Sequence, residues 1–554
     1  INIPTSNGDE TDPRAHSHCE AIRQIHRSVA RKTSRRPDRG DRRTMSQVRE
    51  TIHDQSKPWM CLALPKETKP CNFPALLLRG ALLILLIASL SSVAFFSPQS
   101  RWWPDSFESA GPGDNDSESG DPEVVEEIRN GDESEPTPTN ISQIVFGLGG
   151  SVSTWPSRRW YTELWWRPNL TRGFVWLDGE PGASGISWPE TAPPYRVSED
   201  RIRFKHSAPP SSVRIARILL ETFRLGLPAV RWFVMGDDDT VFFPDNLATV
   251  LARYDHRQMY YVGGSSESVE QDELHSYDMA FGGGGFAVSY PLAAALAGTL
   301  DGCIDRYRSF YGSDERVWAC VSELGVPLTR ERGFHQVDVR GDVFGLLAAH
   351  PVAPLVSLHH LDYVAPLFPN RTRLDSLAAL FHAYRLDPPR VVQHSFCSHP
   401  RRRLTLSVSW GYAALLYPSP AVAPKDLERP LLTFRTWRSR GNGPFLFNTR
   451  PLHPEPCRRP IVFFLDAAAD MGNASSLTTY RRTEEEGRRC GRRTYSGVMG
   501  VEEIAASAAN MDPGDWKRAP RRQCCKIWDR GPRNSVLRVS IRRCRRQERV
   551  VNEG

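Results

Sequence analysis

RWFVMGDDDTVFFPDN, residues 231–246, sets three carboxylates, Asp237, Asp238 and Asp239, between two apolar runs. Neighbouring like charges repel, and acids at the end of a buried strand need a partner. Oxygen donors clustered in this way suit a hard divalent cation, Mg2+ or Mn2+. A cation that also held a diphosphate would neutralise charge developing on a leaving group. A solvated acidic turn is the plainer alternative for the triplet alone; the apolar run before it and the two phenylalanines after it favour the chemical reading.

Three further stretches carry groups that could join such chemistry. FGGGGFAVSYPLA holds Gly282 to Gly285, which permit close backbone approach to a ligand or simply form a flexible loop. The spacing is not that of a dinucleotide-binding loop, and no phosphate-loop lysine follows. YGSDERVWACVSELG places Asp314 and Glu315 at the start of a helix. They are ordinary acids complementing a helix dipole, or one of them is a general base. VSLHHLDYVAP brings His359 and His360 directly after an apolar run. An imidazole there either completes a metal shell or is a satisfied core or surface histidine.

The elements that must position these groups alternate. ISQIVFGLGG reads as a first strand and turn, Arg158 to Trp166 as a helix, and GFVWLDGE as a second strand ending at Asp178. Ser212–Leu227 follows with Ile215, Ile218, Leu219 and Phe223 on one helical face. RWFVM is then a short buried strand ending at the acids, FPDNLATVLARY a helix, YYVGG another strand, and the glycine loop leads into a helix. Such alternation predicts an α/β domain with a parallel sheet and helices on both sides. Ligands of open α/β sheets bind beyond the carboxyl ends of the strands, where the three aspartates stand. Beyond about residue 420 the periodicity weakens, and Cys and Arg become frequent. That region reads as a small, cystine-stabilised extension over 421–554.

The 554-residue chain carries a formal charge of +7, and averaging hides its pattern. The first 50 residues are Arg-rich (Arg31, Arg35, Arg36, Arg39, Arg42, Arg43), residues 105–135 hold twelve acids against Arg129, and 517–549 are basic again. Residues 75–96, ALLLRGALLILLIASLSSVAFF, match a bilayer span, with Arg79 near one end. Lys66 and Lys69 precede the span and acids follow it, which predicts a cytosolic segment 1–74, a signal-anchor 75–96 and a lumenal remainder. Residues 97–140 read as an acidic stem that cannot bury enough surface to fold, and 141–420 as the catalytic-type domain. Five Asn-x-Ser/Thr triplets, at Asn115, Asn140, Asn169, Asn370 and Asn473, and eight cysteines fall on the lumenal side. Eight thiols in an oxidising compartment permit disulfides; their pairing is not readable from spacing. Nucleic acid is not an expected partner.

From about Ile141 to Cys544 the chain resembles the plant fringe-related glycosyltransferases, long known only as a plant domain of unknown function. The motifs that carry the likeness are WWRPN, GFVWLD, RWFVMGDDDTVFFPDNL, YDHRQMYYVGGSSES, FGGGGFAVSYPLA, YGSDERVWAC, ELGVPLT, GLLAAHPVAPLVSLHHLD, SVSWGYA, FNTRPL and RRQCC. Departures are Asp278, where the family usually has Gly, and Glu315, where it has a second Asp. The resemblance implies a GT-A fold, a Rossmann-like donor half with an acceptor half, anchored as a type II Golgi membrane protein. It implies inverting transfer from a UDP-sugar to a hydroxyl of a glycan or glycoprotein acceptor, with a β-1,3 linkage. Asp239 and Asp237 would hold Mn2+ (or Mg2+) with His360, and Asp237 and Asp238 would lie against the donor. Arg158 and Asp178 would contact the nucleotide, and Gly283, Gly284 and Gly285 would line the sugar and acceptor cleft. Asp314 would be the catalytic base. The alternative is a non-catalytic lumenal protein that keeps the fold. The topology has its own test: a glycosidase-sensitive mass shift that shrinks in Asn169→Gln and Asn370→Gln chains is expected, and a chain without such a shift would contradict a lumenal location.

Overall fold

Side-chain parity decides the first layer. The computed structural model describes residues 137–550, apart from 186, 200–208, 400–403, 418–421, 484–489, 491–497, 499 and 529–534. Its first strands are β1 (Ile144–Gly149), β2 (Arg172–Leu177), β3 (Tyr195–Val197), β4 (Trp232–Asp237) and β5 (Val241–Phe242). Then come β6 (Tyr261–Gly263), β7 (Phe286–Ser289), β8 (Leu328–Arg330), β9 (Phe334–His335), β10 (Val339–Gly341) and β11 (Ser357–Leu358). In β1 and β4, Ile144, Phe146, Trp232 and Val234 belong to one apolar core, while Val145, Phe233 and Met235 belong to another. Successive side chains point to opposite faces of a strand, so this sheet is covered on both sides.

Seven strands form it, in the order β3-β2-β1-β4-β7-β6-β8. β3, β2, β1 and β4 run parallel; β7 runs antiparallel to β4 and β6, and β8 is parallel to β6. The sheet is therefore mixed rather than all parallel. The difference lies at FAVS, which forms β7 between the glycines and the helix that follows them. A buried run of four residues has too little length to show a strand period. One face is covered by the helices Pro210–Arg224, Tyr290–Arg306 and Ser313–Glu323, and the other by Trp155–Trp165 and Arg373–Leu386. Proline stands at the start of the first of these, and likewise of Pro244–Leu251; its missing N–H costs nothing there and its φ already suits a helix.

The remaining strands are β12 (His394–His399), β13 (Leu404–Ser409), β14 (Ala413–Tyr417), β15 (Phe434–Thr436), β16 (Ile461–Gly472), β17 (Ser475–Arg482), β18 (Glu503–Ala509), β19 (Cys524–Trp528) and β20 (Val536–Arg542). Eight of them close into a barrel, β12-β13-β14-β16-β17-β18-β20-β19; β15 pairs instead with β10. This corrects the small extension expected over 421–554. The barrel begins at His394, so residue 420 lies inside it. Its strands alternate inward and outward in a weak period of two, as at β17 and β20, and small residues such as Ala505, Ala506, Ser507 and Ala508 blunt the contrast. The larger core is continuous from Phe146 and Trp165 through Phe381 to Tyr412, Phe463 and Tyr480 of the barrel.

All eight cysteines of this region are paired, as Cys303–Cys320, Cys397–Cys525, Cys457–Cys490 and Cys524–Cys544. The expected span 75–96 lies outside the described residues; among the described residues no helix is long and apolar enough to cross a membrane. The Cys303–Cys320 bridge ties the helix Tyr290–Arg306 to the helix that opens at Ser313. Closing a loop of this size stabilises by about 3 kcal/mol. A Cys303→Ser/Cys320→Ser chain is expected to unfold at a lower denaturant midpoint with an equal or steeper slope, since the uncrosslinked denatured chain is less compact; an unmoved midpoint would contradict the clamp.

Candidate metal and catalytic site

The site begins with a turn. Asp238 N donates to Gly149 O at the end of β1 (2.8 Å), Asp237 N donates to Thr240 Oγ1 (2.8 Å), and Thr240 N returns to Asp237 O (3.1 Å). Thr240 Oγ1 in turn donates to Gly283 O at 2.7 Å. These bonds fix all three aspartates at the carboxyl ends of β1 and β4. β1 and β4 are neighbours whose onward connections run in opposite directions, the position where open α/β sheets bind ligands.

Each acid then meets a different environment. Asp238 is buried, with Oδ1 accepting from Arg158 Nη1 at 3.0 Å and Oδ2 from Thr154 Oγ1 at 2.9 Å. Burial and the neighbouring Asp239 raise its pKa against the pull of Arg158. Asp239 Oδ2 lies 3.1 Å from Arg158 Nη2, while its buried Oδ1 makes no hydrogen bond and faces His359 Nε2 at 3.3 Å. Burial opposes its ionisation, yet His359 and Arg158 outweigh burial and bring its pKa down to about 2. Asp237 Oδ2 is 3.7 Å from the same His359 Nε2, with 32% of its side chain exposed. Burial, with Asp239 and Asp238, pushes Asp237 up to about 7. Burial works against a charged His359, but Asp239, Asp237 and Asp338 overcome it and raise its pKa.

Asp237, Asp239 and His359 can each point one ligand atom into a common space, all within 4.8 Å of one another. Two carboxylates and an imidazole are a donor set for Mn2+ or Mg2+, and the orphaned Asp239 Oδ1 is the kind of buried atom a cation would satisfy. The residues present fit such a cation, and the histidine grouped with the two acids is His359 rather than the expected His360. β11 pairs antiparallel with β5, Leu358 against Val241. Continuing that register by one residue sets His359 beside Thr240 and the acids. His360 has φ 52°, and its ring packs 3.9 Å from that of His359. Its Nδ1 lies 2.8 Å from Asp338 Oδ1, and its ring stacks on Trp437 at 4.5 Å.

The glycines are there for clearance. A Cβ on Gly283 would lie 2.1 Å from His359 Cε1, and Gly285 has φ +86°. Gly282 N donates to Asp314 Oδ2 at 3.0 Å, and Glu315 N to Asp314 Oδ1 at 3.0 Å. Asp314 is thus held rigidly, and burial raises its pKa. Glu315 is engaged elsewhere, capping its helix through Gly312 N (2.6 Å) and meeting His275 Nδ1 at 2.9 Å. A cavity of about 150 Å³ is lined by Asp237, Gly282, Gly283, Asp314, His359 and His360, among others. Asp178 is not brought to the acids. It is exposed, and its Oδ1 accepts from Val152 N at 2.9 Å, which holds the loop carrying Thr154. Arg158 faces the acids directly rather than open solvent. Thr154 and Thr240 were not singled out in the sequence, because lone threonines carry no spacing signal.

The profile of a family described as a protein of unknown function, DUF604, matches residues 271–525. The match takes in the glycine loop, Asp314, the histidine pair and most of the barrel, and starts after the aspartate triplet. No curated protein matches the chain. The assignment of the histidine is directly testable. His359→Ala and Gly283→Ala are expected to weaken Mn2+ binding by at least about tenfold, measured by titration of the full chain, while His360→Ala leaves it within about twofold of wild type. The reverse order would return the ligand role to His360.

Proposed function

We propose that the protein is a metal-dependent glycosyltransferase that moves a sugar from a UDP-sugar to an acceptor hydroxyl with inversion. The observation that carries this reading is one cavity bordered by Asp237 and His359 of a divalent-metal donor set and, separately, by a fixed carboxylate, Asp314. The strand order supports the finer reading of a GT-A fold, since the parallel β3-β2-β1-β4 half has the Rossmann-like arrangement with its acids at the switch point. A Golgi type II location and a β-1,3 linkage belong to the same proposal and rest on the resemblance.

Asp237, Asp239 and His359 would hold Mn2+, which when bound supplies charge stabilisation to a departing diphosphate. Asp314 accepts the proton of the acceptor hydroxyl as its oxygen bonds to the anomeric carbon, and the bond from that carbon to the diphosphate breaks. A raised pKa makes Asp314 a stronger base once ionised. Its two backbone N–H bonds hold it in place for the transfer. Gly283 keeps the ligand histidine close, and Arg158 holds Asp238 and Asp239 apart from each other's charge. The same Arg158 contact is what favours the non-catalytic alternative, because it partly neutralises the acids without a cation.

Two substitutions separate the roles. Asp239→Ala is expected to abolish the Mn2+-dependent part of UDP binding. Asp314→Asn is expected to keep UDP binding while lowering transfer about 10²–10⁴-fold. Equal loss of binding and transfer in both variants would overturn the division of roles. A full chain that binds no UDP with any divalent cation would sink the transferase reading.

A further inference from the structure

A second cavity, of about 80 Å³, lies at one end of the barrel and is lined by Asp515, Arg518, Arg521, Arg522, Arg543 and Cys544, with uncharged neighbours. The Cys524–Cys544 bridge builds it, by tying the start of β19 to the segment just past β20. Arg521 and Arg522 are thereby held on one wall and Arg543 on another, while the turn Pro513–Lys517 supplies Asp515 and leads to Arg518. Among the described residues, four guanidiniums and one carboxylate line the space.

Their commitments differ. Arg522 is an anchor: its Nε lies 3.0 Å from Glu428 Oε1, its guanidinium covers the Phe396 ring, and 8% of its side chain is exposed. Arg521 donates to the main-chain carbonyls of Glu548 (2.7 Å) and Arg545 (3.5 Å). Arg518 and Arg543 are both 63% exposed and share Asp515 Oδ1, at 3.7 and 3.2 Å. That oxygen is buried and makes no hydrogen bond, so these ion pairs are loose. One carboxylate is thus set against Arg518, Arg521 and Arg543 in a concave wall, and concavity focuses the positive field.

We infer that this cavity is a binding site for one oxyanion group, a carboxylate or sulfate, carried by an acidic saccharide. Planar guanidinium forks match such groups in two-pronged fashion. The volume admits one such group and excludes a nucleic-acid duplex, whose phosphates spread over a long surface. Asp515 competes with the ligand for Arg518 and Arg543. The choice of a saccharide as carrier rests on the transferase reading; the oxyanion chemistry does not.

The test is calorimetric titration of the full chain with trigalacturonate, neutral maltotriose, inorganic sulfate and a single-stranded oligonucleotide, with UDP–Mn2+ binding measured in parallel. Trigalacturonate should bind and maltotriose should not. Arg518→Ala/Arg543→Ala should weaken trigalacturonate at least about tenfold, and Asp515→Ala should tighten it. Neither variant should change UDP–Mn2+ binding, which also reports that both remain folded. Sulfate binding without trigalacturonate binding would overturn the saccharide assignment. Equal binding of the oligonucleotide, or an affinity unmoved by the variants, would reduce the cavity to a general basic surface and overturn the site. Loss of UDP–Mn2+ binding by the unsubstituted chain would count against the transferase reading alone.

Discussion

Three adjacent carboxylates at the end of a buried strand are the constraint to which the first half of the molecule answers. Their mutual repulsion and desolvation must be offset by charge brought from elsewhere in the sequence. Arg158 comes from the helix Trp155–Trp165 and His359 from the residue after β11. The two lie on opposite sides of Asp239, and each is fixed by a separate piece of the fold. The small sheet of β5, β9 and β11 places the histidine through strand register. The glycine loop lets it approach, and Thr240 joins that loop to the aspartate turn. Remove the acids, and these arrangements have no shared purpose.

The three acids also divide their labour by environment. Asp238 faces Arg158 and Thr154 and serves the architecture. Asp239, buried and oppositely paired, stays ionised, while desolvation and then the charges of Asp239 and Asp238 draw Asp237 toward neutrality. A cation held as proposed by Asp237, Asp239 and His359 would meet one ready carboxylate, and would displace the proton that Asp239 and Asp237 favour on His359.

Much of this centre was legible in the sequence. The aspartate triplet, the glycine run and Asp314 stand next to strand ends and a helix start, where local pattern speaks. The choice between His359 and His360 was not, because both directly follow the same apolar run and only the pairing of β11 with β5 shows that His359 is the one set beside Thr240 and the acids. Arg158 was legible as a site residue but not as a partner of Asp238 and Asp239, a contact spanning 80 residues. The barrel escaped for another reason. Its strands pair across long separations, such as β12 with β19 and β18 with β20, and small residues on β18 flatten the alternation that would have revealed them.

The barrel's first strand, β12, closes against one of its last, β19, and the pair is sealed by the Cys397–Cys525 bridge. Residues 394–417 look like the tail of the α/β half along the chain and pair among themselves, yet the outer edge of β14 waits for β16 (Ala413 opposite Phe464) and that of β12 for β19 (Phe396 opposite Cys524). A ribosome that has just released residue 420 has therefore exposed two hairpin edges with nothing to pair them. β16 covers the first of these edges, but until β19 emerges the edge of β12 is an open template for association with other chains. The order of synthesis thus leaves one edge of the barrel's first strand unpaired until nearly all of the barrel has been made.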